Sequence, residues 1–491
     1  MPAETSTKAQ VQAYRFGMRR LEHALATGNP YRRSLSGPRH GLSLLIGLVL
    51  ATLVCAAFAV YGLIKPAPSI GNATVLVDSK SGGAYVVRKG VLYPATNLSS
   101  ALLAATADSG SGSSASGPST IPNRKSVTTA TLSGMPKGQL LGIPGAPNAL
   151  PAESALVAAD WTVCDTSTVD PALPPSSPPV VSTTVVIGQP PLSQSSIDPA
   201  TALLVTADKG STYYLLRKGN RSRIDPRSAP LRLAFGMAAD SARPISVGLL
   251  NAIPEAAPIT APTIAGQGKP AAWSSAPLPV GKVFQVVRAS GNDGFYVALA
   301  DGIEPVSSLF ADVVRASTGT TAAIPTVPPA QVSQYPVSRH PLATDQFPTV
   351  KPTFFSFAEA ADICLDWSVR DGSPVRSVYA ATGVRLPSGA VAVPAPPGSA
   401  ATTADAVYVA PQHGVVLGQS TTGKDAASGS LFLVTDQGLR YPVVSSAALA
   451  ALGLGKRIQP AAPELLRLLP TGPTLDPSVA AQFYTPGSGG N

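Results

Sequence analysis

The stretch from Leu42 to Ile64 reads LSLLIGLVLATLVCAAFAVYGLI and holds no charged residue in 23 positions. About 20 apolar residues in a helix span the hydrocarbon core of a bilayer. Only a segment that bonds its own backbone groups can lie there. The run is therefore expected to be a single transmembrane helix. It is longer than the apolar part of a cleaved signal peptide and follows a long leader, which argues against that alternative. Ahead of it stand Lys8, Arg15, Arg19, Arg20, Arg32, Arg33 and Arg39; behind it come only Lys65 and then Lys80. The basic side stays in the cytoplasm, so the N-terminus is placed inside and the rest of the chain outside.

This topology divides the net charge of +9. The first 40 residues carry seven Lys/Arg against Glu4 and Glu22, giving +5, and the remaining 451 share +4. The basic balance thus belongs mainly to a juxtamembrane segment, where it meets anionic headgroups. It is a poor argument for nucleic acid, and no nucleic-acid partner is expected. Of the three cysteines, Cys55 lies within the apolar run as a small apolar residue. Cys164 and Cys364 lie outside, in "AADWTVCD" (158–165) and "AADICLDW" (360–367). Each has a tryptophan three residues away, on opposite sides. In an oxidising compartment such a pair is expected to be a disulfide rather than a metal site.

In the leader, Val11, Tyr14, Met18, Leu21 and Leu25 recur at spacings of 3, 4, 3 and 4. That is one apolar stripe on a helix, closed by Gly28 and Pro30. A short amphipathic helix must pack on a partner or on lipid. Glu22 and His23 interrupt its basic face, so docking on a partner protein through those five residues is the expectation.

The run "QVQAYRFGMRRLEHAL" (10–25), then "GNPYRR" (28–33), then one span and a long Ala/Pro-rich exterior, resembles EccB. EccB is the bitopic membrane component of the actinobacterial type VII (ESX) secretion system. The resemblance covers nearly the whole chain, and the leader is its most specific part. It implies a single-pass subunit of the inner membrane with a large periplasmic domain. It also implies assembly with EccC, EccD and EccE, association with a mycosin protease, and self-association of the exterior. Several members carry the label ATPase.

Four stretches of the exterior repeat one pattern: "VLVDSKSGGAYVVRKGVLYPAT" (75–96), "LLVTADKGSTYYLLRKGNRSRIDP" (203–226), "VFQVVRASGNDGFYVALADGIEPVS" (283–307) and "VVLGQSTTGKDAASGSLFLVTDQGLRYPVV" (415–444). Each reads as an apolar strand, a polar turn and a second strand entered through Tyr85, Tyr213, Phe295 or Phe432. A glycine follows (Gly90, Gly219, Gly302, Gly438), then a proline (Pro94, Pro226, Pro305, Pro442). A short helix opened by Ser or Asn comes next, at 97–105, 228–236, 307–314 and 445–452. Leu-rich elements ending in proline follow at 139–144, 248–254 and 464–470, and the third copy dissolves into "TAAIPTVPPAQV".

The expected fold is mixed α+β, with a β-rich elongated exterior of four small hairpin–helix repeats around a central β domain, pseudo-two-fold. The expected boundaries are leader 1–40, membrane helix 41–64, repeat one 65–150, central half one 151–200, repeat two 201–260 and linker 261–280. Repeat three 281–334, central half two 335–414, repeat four 415–470 and tail 471–491 complete the chain. The Cys164–Cys364 bridge would clamp the two central halves.

"GQSTTGKD" (418–425) has the Gly-x4-Gly-Lys of a phosphate-binding loop, with Gly418, Gly423 and Lys424 in place. Asp425 stands where Ser or Thr should hold magnesium. The stretch aligns with the hairpin turns of the other copies, where Gly, Ser and Asp serve the backbone. A strand-like "SLFLV" follows, whereas a phosphate loop opens a helix. The expectation is a hairpin turn, with no cofactor and no catalytic residue; ATP belongs to the alternative of an extracytoplasmic nucleotidase. His23, His40, His340 and His413 are scattered, and no metal-ligand spacing is seen. "LLRKGNRSR" (215–223) is a basic loop, open to an acidic partner or cell-wall polymer. A structural secretion subunit is the leading reading, with a cell-wall-binding module as a further alternative.

Overall fold

The structure is a computed structural model that describes residues 7–28, 38–64, 70–107, 121–169, 172, 179–189, 197–198, 200–207, 210–273, 278–288, 291, 294–320, 322–356, 360–393 and 402–484. Residues 1–69 and 70–491 are separate compact units.

In the first unit, α1 (Lys8–Thr27) opens where the Thr7 backbone N–H donates to the Gln10 side chain at 2.9 Å. It closes at Gly28, left-handed at φ 65°, whose N–H reaches the Ala24 carbonyl. Of "GNPYRR", only Gly28 lies within the described residues. α2 (Pro38–Ile64) includes Gly41–Tyr61, 21 residues long and apolar enough to cross a membrane. Cys55 is a free thiol on its exposed surface.

The second unit begins with an antiparallel meander of β1 (Val75–Asp78), β2 (Ala84–Arg88) and β3 (Val91–Pro94). The chain crosses through α3 (Leu98–Ala107) to β4 (Arg124–Val127), parallel to β1, and on to α4 (Thr129–Ser133). β5 (Trp161–Thr168) and β6 (Val180–Ile187) then pair antiparallel. A second meander, β7 (Thr201–Ala207), β8 (Thr212–Arg217) and β9 (Asn220–Ile224), leads through α5 (Ala229–Phe235) to β10 (Arg243–Pro244), parallel to β7. α6 (Val247–Ala252) precedes β11 (Glu255–Ile259), parallel to β9.

The third meander is β12 (Val283–Val286), β13 (Gly294–Ala298) and β14 (Ile303–Val306), followed by α7 (Ser308–Ser317) and α8 (Pro329–Val332). Here single parallel bridges, Thr326 to Gln285 and Val337 to Ile303, stand in for flanking strands. β15 (Thr353–Phe354) lies parallel on β7. β16 (Asp362–Arg370), β17 (Ser373–Ala381), β18 (Val391–Ala392) and β19 (Ala406–Tyr408) join β5 and β6 in a six-stranded sheet of order β17-β16-β5-β6-β19-β18. The fourth meander is β20 (Gly414–Gln419), β21 (Leu431–Thr435) and β22 (Arg440–Val443). It crosses through α9 (Ser446–Ala451) to β23 (Ile458–Ala461), parallel to β20, before α10 (Pro463–Leu468) and α11 (Pro477–Ala480).

Local chemistry explains the meanders. The two-residue turns Lys89–Gly90 (φ 49° and 79°) and Lys218–Gly219 (φ 52° and 73°) have positive φ at both positions. That is the turn whose twist matches a right-handed hairpin. The sequence suggests one hairpin per copy; the structure adds a third strand, because these glycines send the chain back along the second. Pro94 and Pro442 then sit in the third strand, opposite Tyr85 and Phe432. Helix starts follow the capping rule at Ser307, Ser445 and Asn97, whose side chains accept from the N–H groups of Phe310, Ala448 and Ser100. Ser228 precedes α5 without such a bond.

The three largest cores set the arrangement. Side chains of α3, β2, β21 and α9, with Leu141, Tyr441 and Leu475, join the first and fourth sheets. Leu215, Phe235, Val283, Val297 and Phe310 join the second and third. The third core runs under the central sheet and takes in α6 and α10. Within 261–280, Ile264, Ala271 and Val280 are buried in the core of the second and third sheets.

Candidate functional site

The central sheet is knitted across its middle. β5 and β16 run antiparallel, with Cys164 directly opposite Cys364 and Trp161 opposite Trp367. The two cysteines form a disulfide, with Cα atoms 4.1 Å apart. It closes a loop of sequence separation 200.

Beside the bridge lies a buried polar cluster. Asp165, next to Cys164, accepts from the Thr183 hydroxyl (2.7 Å), the Ser246 hydroxyl (2.9 Å) and the Ser246 N–H (2.7 Å). Burial pushes its carboxyl above the usual range, and these bonds with the nearby Arg243 charge pull it back. Arg243, on β10, is 1% exposed. Its guanidinium donates to the Ser167 hydroxyl (3.0 and 3.2 Å) and to the carbonyls of Asp165 (3.1 Å) and Ala361 (2.5 Å). Burial lowers its pKa to about 10, against the pull of Asp165 and Asp362. Asp366 accepts from Thr162 at 2.5 Å, and Asp362 from the Val384 N–H at 2.8 Å. One arginine of the second sheet is thereby anchored by the Ser167 hydroxyl and by main-chain carbonyls of β5 and of the residue before β16, with the Asp165 and Asp362 charges nearby. A buried charge left without such partners would cost several kcal/mol. The sequence signal was available only in part: both Trp–Cys elements carry aspartates in their strands, but nothing local points to Arg243.

Residues 418–425 run from the end of β20 into the turn that leads to β21. Gly418 is the fifth residue of β20, and a Cβ there would collide with the Ala426 carbonyl. Gly423 has φ 79°. The Ser420 hydroxyl accepts from the Gly423 N–H (3.1 Å) and donates to the Lys424 carbonyl (2.6 Å). Asp425 is left-handed at φ 54° and leads into a three-residue 3-10 turn, Ala426–Ser428. The Lys424 stem would lie 3.3 Å from a Cβ on Gly372. Gly418, Gly423 and Lys424 therefore share one hairpin, and each glycine has a backbone reason to be there. Among the described residues, no group of three His, Cys, Asp or Glu side chains converges as a metal site.

On α1, Val11, Tyr14, Met18, Leu21 and Leu25 are all exposed on one helix. His340, a surface residue of the second unit, lies 3.0 Å from Asp301.

Residues 3–484 match the family described as "Type VII secretion system ESX-1, transport TM domain B". The chain belongs to this family, EccB. It is 30% identical over 483 residues to the ESX-5 secretion system ATPase EccB5 of Mycobacterium tuberculosis, covering 96% of this chain and 92% of the relative. It is 32% identical over 503 residues to the ESX-1 secretion system ATPase EccB1 of the same species, covering 98% and 95%. A chain of an intact ESX-5 inner membrane complex superposes with TM-score 0.69 at 28% identity, covering 99% of this chain and 97% of that one. The EccB3 dimer of the ESX-3 core complex gives 0.66 at 28%, covering 83% and 99%.

Proposed function

We propose that the chain is a structural, bitopic subunit of an ESX-type secretion complex, supporting protein export across the inner membrane and building its periplasmic part. One observation carries this reading. The likeness to a subunit of an intact ESX-5 inner membrane complex runs through 99% of the chain, leader and apolar helix included. The basic leader favours a cytoplasmic N-terminus and a periplasmic second unit. α1 docks on a cytoplasmic partner through Leu21 and its neighbours. The family's partners, EccC, EccD, EccE and a mycosin protease, are the expected company, and the relative solved as a dimer supports self-association of the exterior.

The four meander sheets read as copies of one unit arranged with pseudo-two-fold symmetry. Their connections support this: each first strand has a parallel neighbour reached through a helix. Each third strand also has a parallel neighbour, at Lys137, Glu255, Val337 and Thr471. The first sheet packs with the fourth and the second with the third. An axis near Cys164–Cys364 would exchange the halves. The domain boundaries expected from sequence are kept as part of this proposal, except that 261–280 is counted with the second and third sheets, whose core takes in Ile264, Ala271 and Val280.

The hairpin roles of Gly418 and Gly423 favour a scaffold over a nucleotidase. Tagging the chain, solubilising membranes in mild detergent and identifying co-purified proteins tests the reading. Recovery of EccC, EccD and EccE in fixed ratio is expected; recovery of the chain alone contradicts it.

A further inference from the structure

A cavity of ≈ 530 Å3 opens where α6, α10 and the start of β22 meet Thr402 and Thr403. Arg440 and Arg467 both line it. Arg440 is held from two sides: its Nε donates to the Thr471 hydroxyl at 2.8 Å, and its guanidinium carbon lies 5.5 Å from the centre of the Phe432 ring. Its terminal nitrogens make no hydrogen bond among the described residues. Arg467, one turn along α10, is exposed and has no ion-pair partner there. Glu464 lines the same cavity without pairing either arginine. The Thr403 hydroxyl, also on the wall, is buried without a hydrogen-bond partner among the described residues.

Two guanidinium groups line one space, and among the described residues no carboxylate pairs with either. We propose that this cavity binds an oxyanion, a phosphate or carboxylate group, with Arg440 as its fixed bidentate ligand, Arg467 as its outer ligand and Thr403 as a neutral donor. The argument is geometric and electrostatic. A stacked, singly tethered guanidinium presents a planar fork that matches two oxygens. Burial, and then the Arg467 charge, lower the Arg440 pKa, so an anion placed between them would relieve an existing repulsion. The cavity far exceeds the roughly 30 Å3 of one water. The oxyanion would thus be one end of a larger polar molecule, with Glu464 left to accept from its hydroxyl or amino groups. This site is independent of the family assignment.

The test is isothermal titration of the full-length, detergent-solubilised protein with inorganic phosphate and, separately, with acetate, against chloride at equal ionic strength. Saturable binding of either oxyanion is expected, weakened at least about tenfold in Arg440→Gln and unchanged in the surface control Arg232→Gln. Whichever probe binds more tightly identifies the group as phosphate or carboxylate. Should Arg440→Gln misfold, Arg467→Gln alters only an exposed side chain and is expected to weaken binding several-fold. No saturable binding by the wild type, or equal binding by wild type and Arg467→Gln, would overturn the proposal. Glucose 6-phosphate probes the remaining volume: binding tighter than inorganic phosphate supports a larger ligand, and weaker binding removes that part of the inference.

Discussion

Lys424 sits in a hairpin turn whose shape is set by Gly423, Asp425 and the Ser420 hydroxyl, while its own side chain is exposed. Its removal deletes no buried contact, so Lys424→Ala is expected to leave both melting temperature and export of a secreted substrate unchanged. A stable, assembled but secretion-dead variant would restore the nucleotidase reading, since a phosphate-loop lysine is needed for turnover. Arg243 is the opposite case. Arg243→Met leaves Asp165 and Asp362 without their cation, so a loss of about 3 kcal/mol is expected in denaturant unfolding. Asp301 gives a pH signature. It accepts from the Ser338 hydroxyl, the Arg339 N–H and His340, and these bonds hold its carboxyl well below the usual range, that of Ser338 foremost. A depressed carboxylate adds stability above its ordinary pKa of about 4 and loses it as pH falls below that value. Asp301→Asn should therefore flatten the acid side of the stability–pH curve; an unchanged slope below that value would contradict it.

Among the elements, the β5–β16 pair holds the longest covalent span. Cys164→Ser with Cys364→Ser is expected to cost about 3–5 kcal/mol in the chain-entropy account of a long closed loop, read as a lower midpoint in denaturant. What was legible at this scale was whatever is local. The apolar run, the capped helix starts, the aromatic entry to each second strand and the mirror-placed cysteines are all short-range signals. The third strand is not legible in the sequence, where Gly90 and Gly219 mark only a turn; the positive φ of Lys89 and Lys218 beside them is what sends the chain back along the second strand. The Arg243 anchor was not legible at all: it joins residues 78 positions apart and exists only once β10 is seated on β7. The linker expected at 261–280 contributes Ile264, Ala271 and Val280 to a core, because scattered apolar residues between prolines reveal no periodicity.

At the scale of the whole molecule, the second unit is built from paired sheets, and under the proposed function the leader makes the connection to partners. The first and last sheets share one core and the middle two another, so both chain halves contribute to each end. Residues 1–69 are a unit of their own, and the apolar stripe of α1 is exposed in it. A charge within that stripe should remove partner docking without disturbing the fold of the exterior or membrane insertion. The most direct measurement is therefore the size of the detergent-solubilised complex on native gels, for the wild type beside Leu21→Asp. The account predicts a large complex for the wild type, and for Leu21→Asp the same amount of protein in the membrane but migrating as a small species. A Leu21→Asp chain that still migrates in the large complex would contradict it.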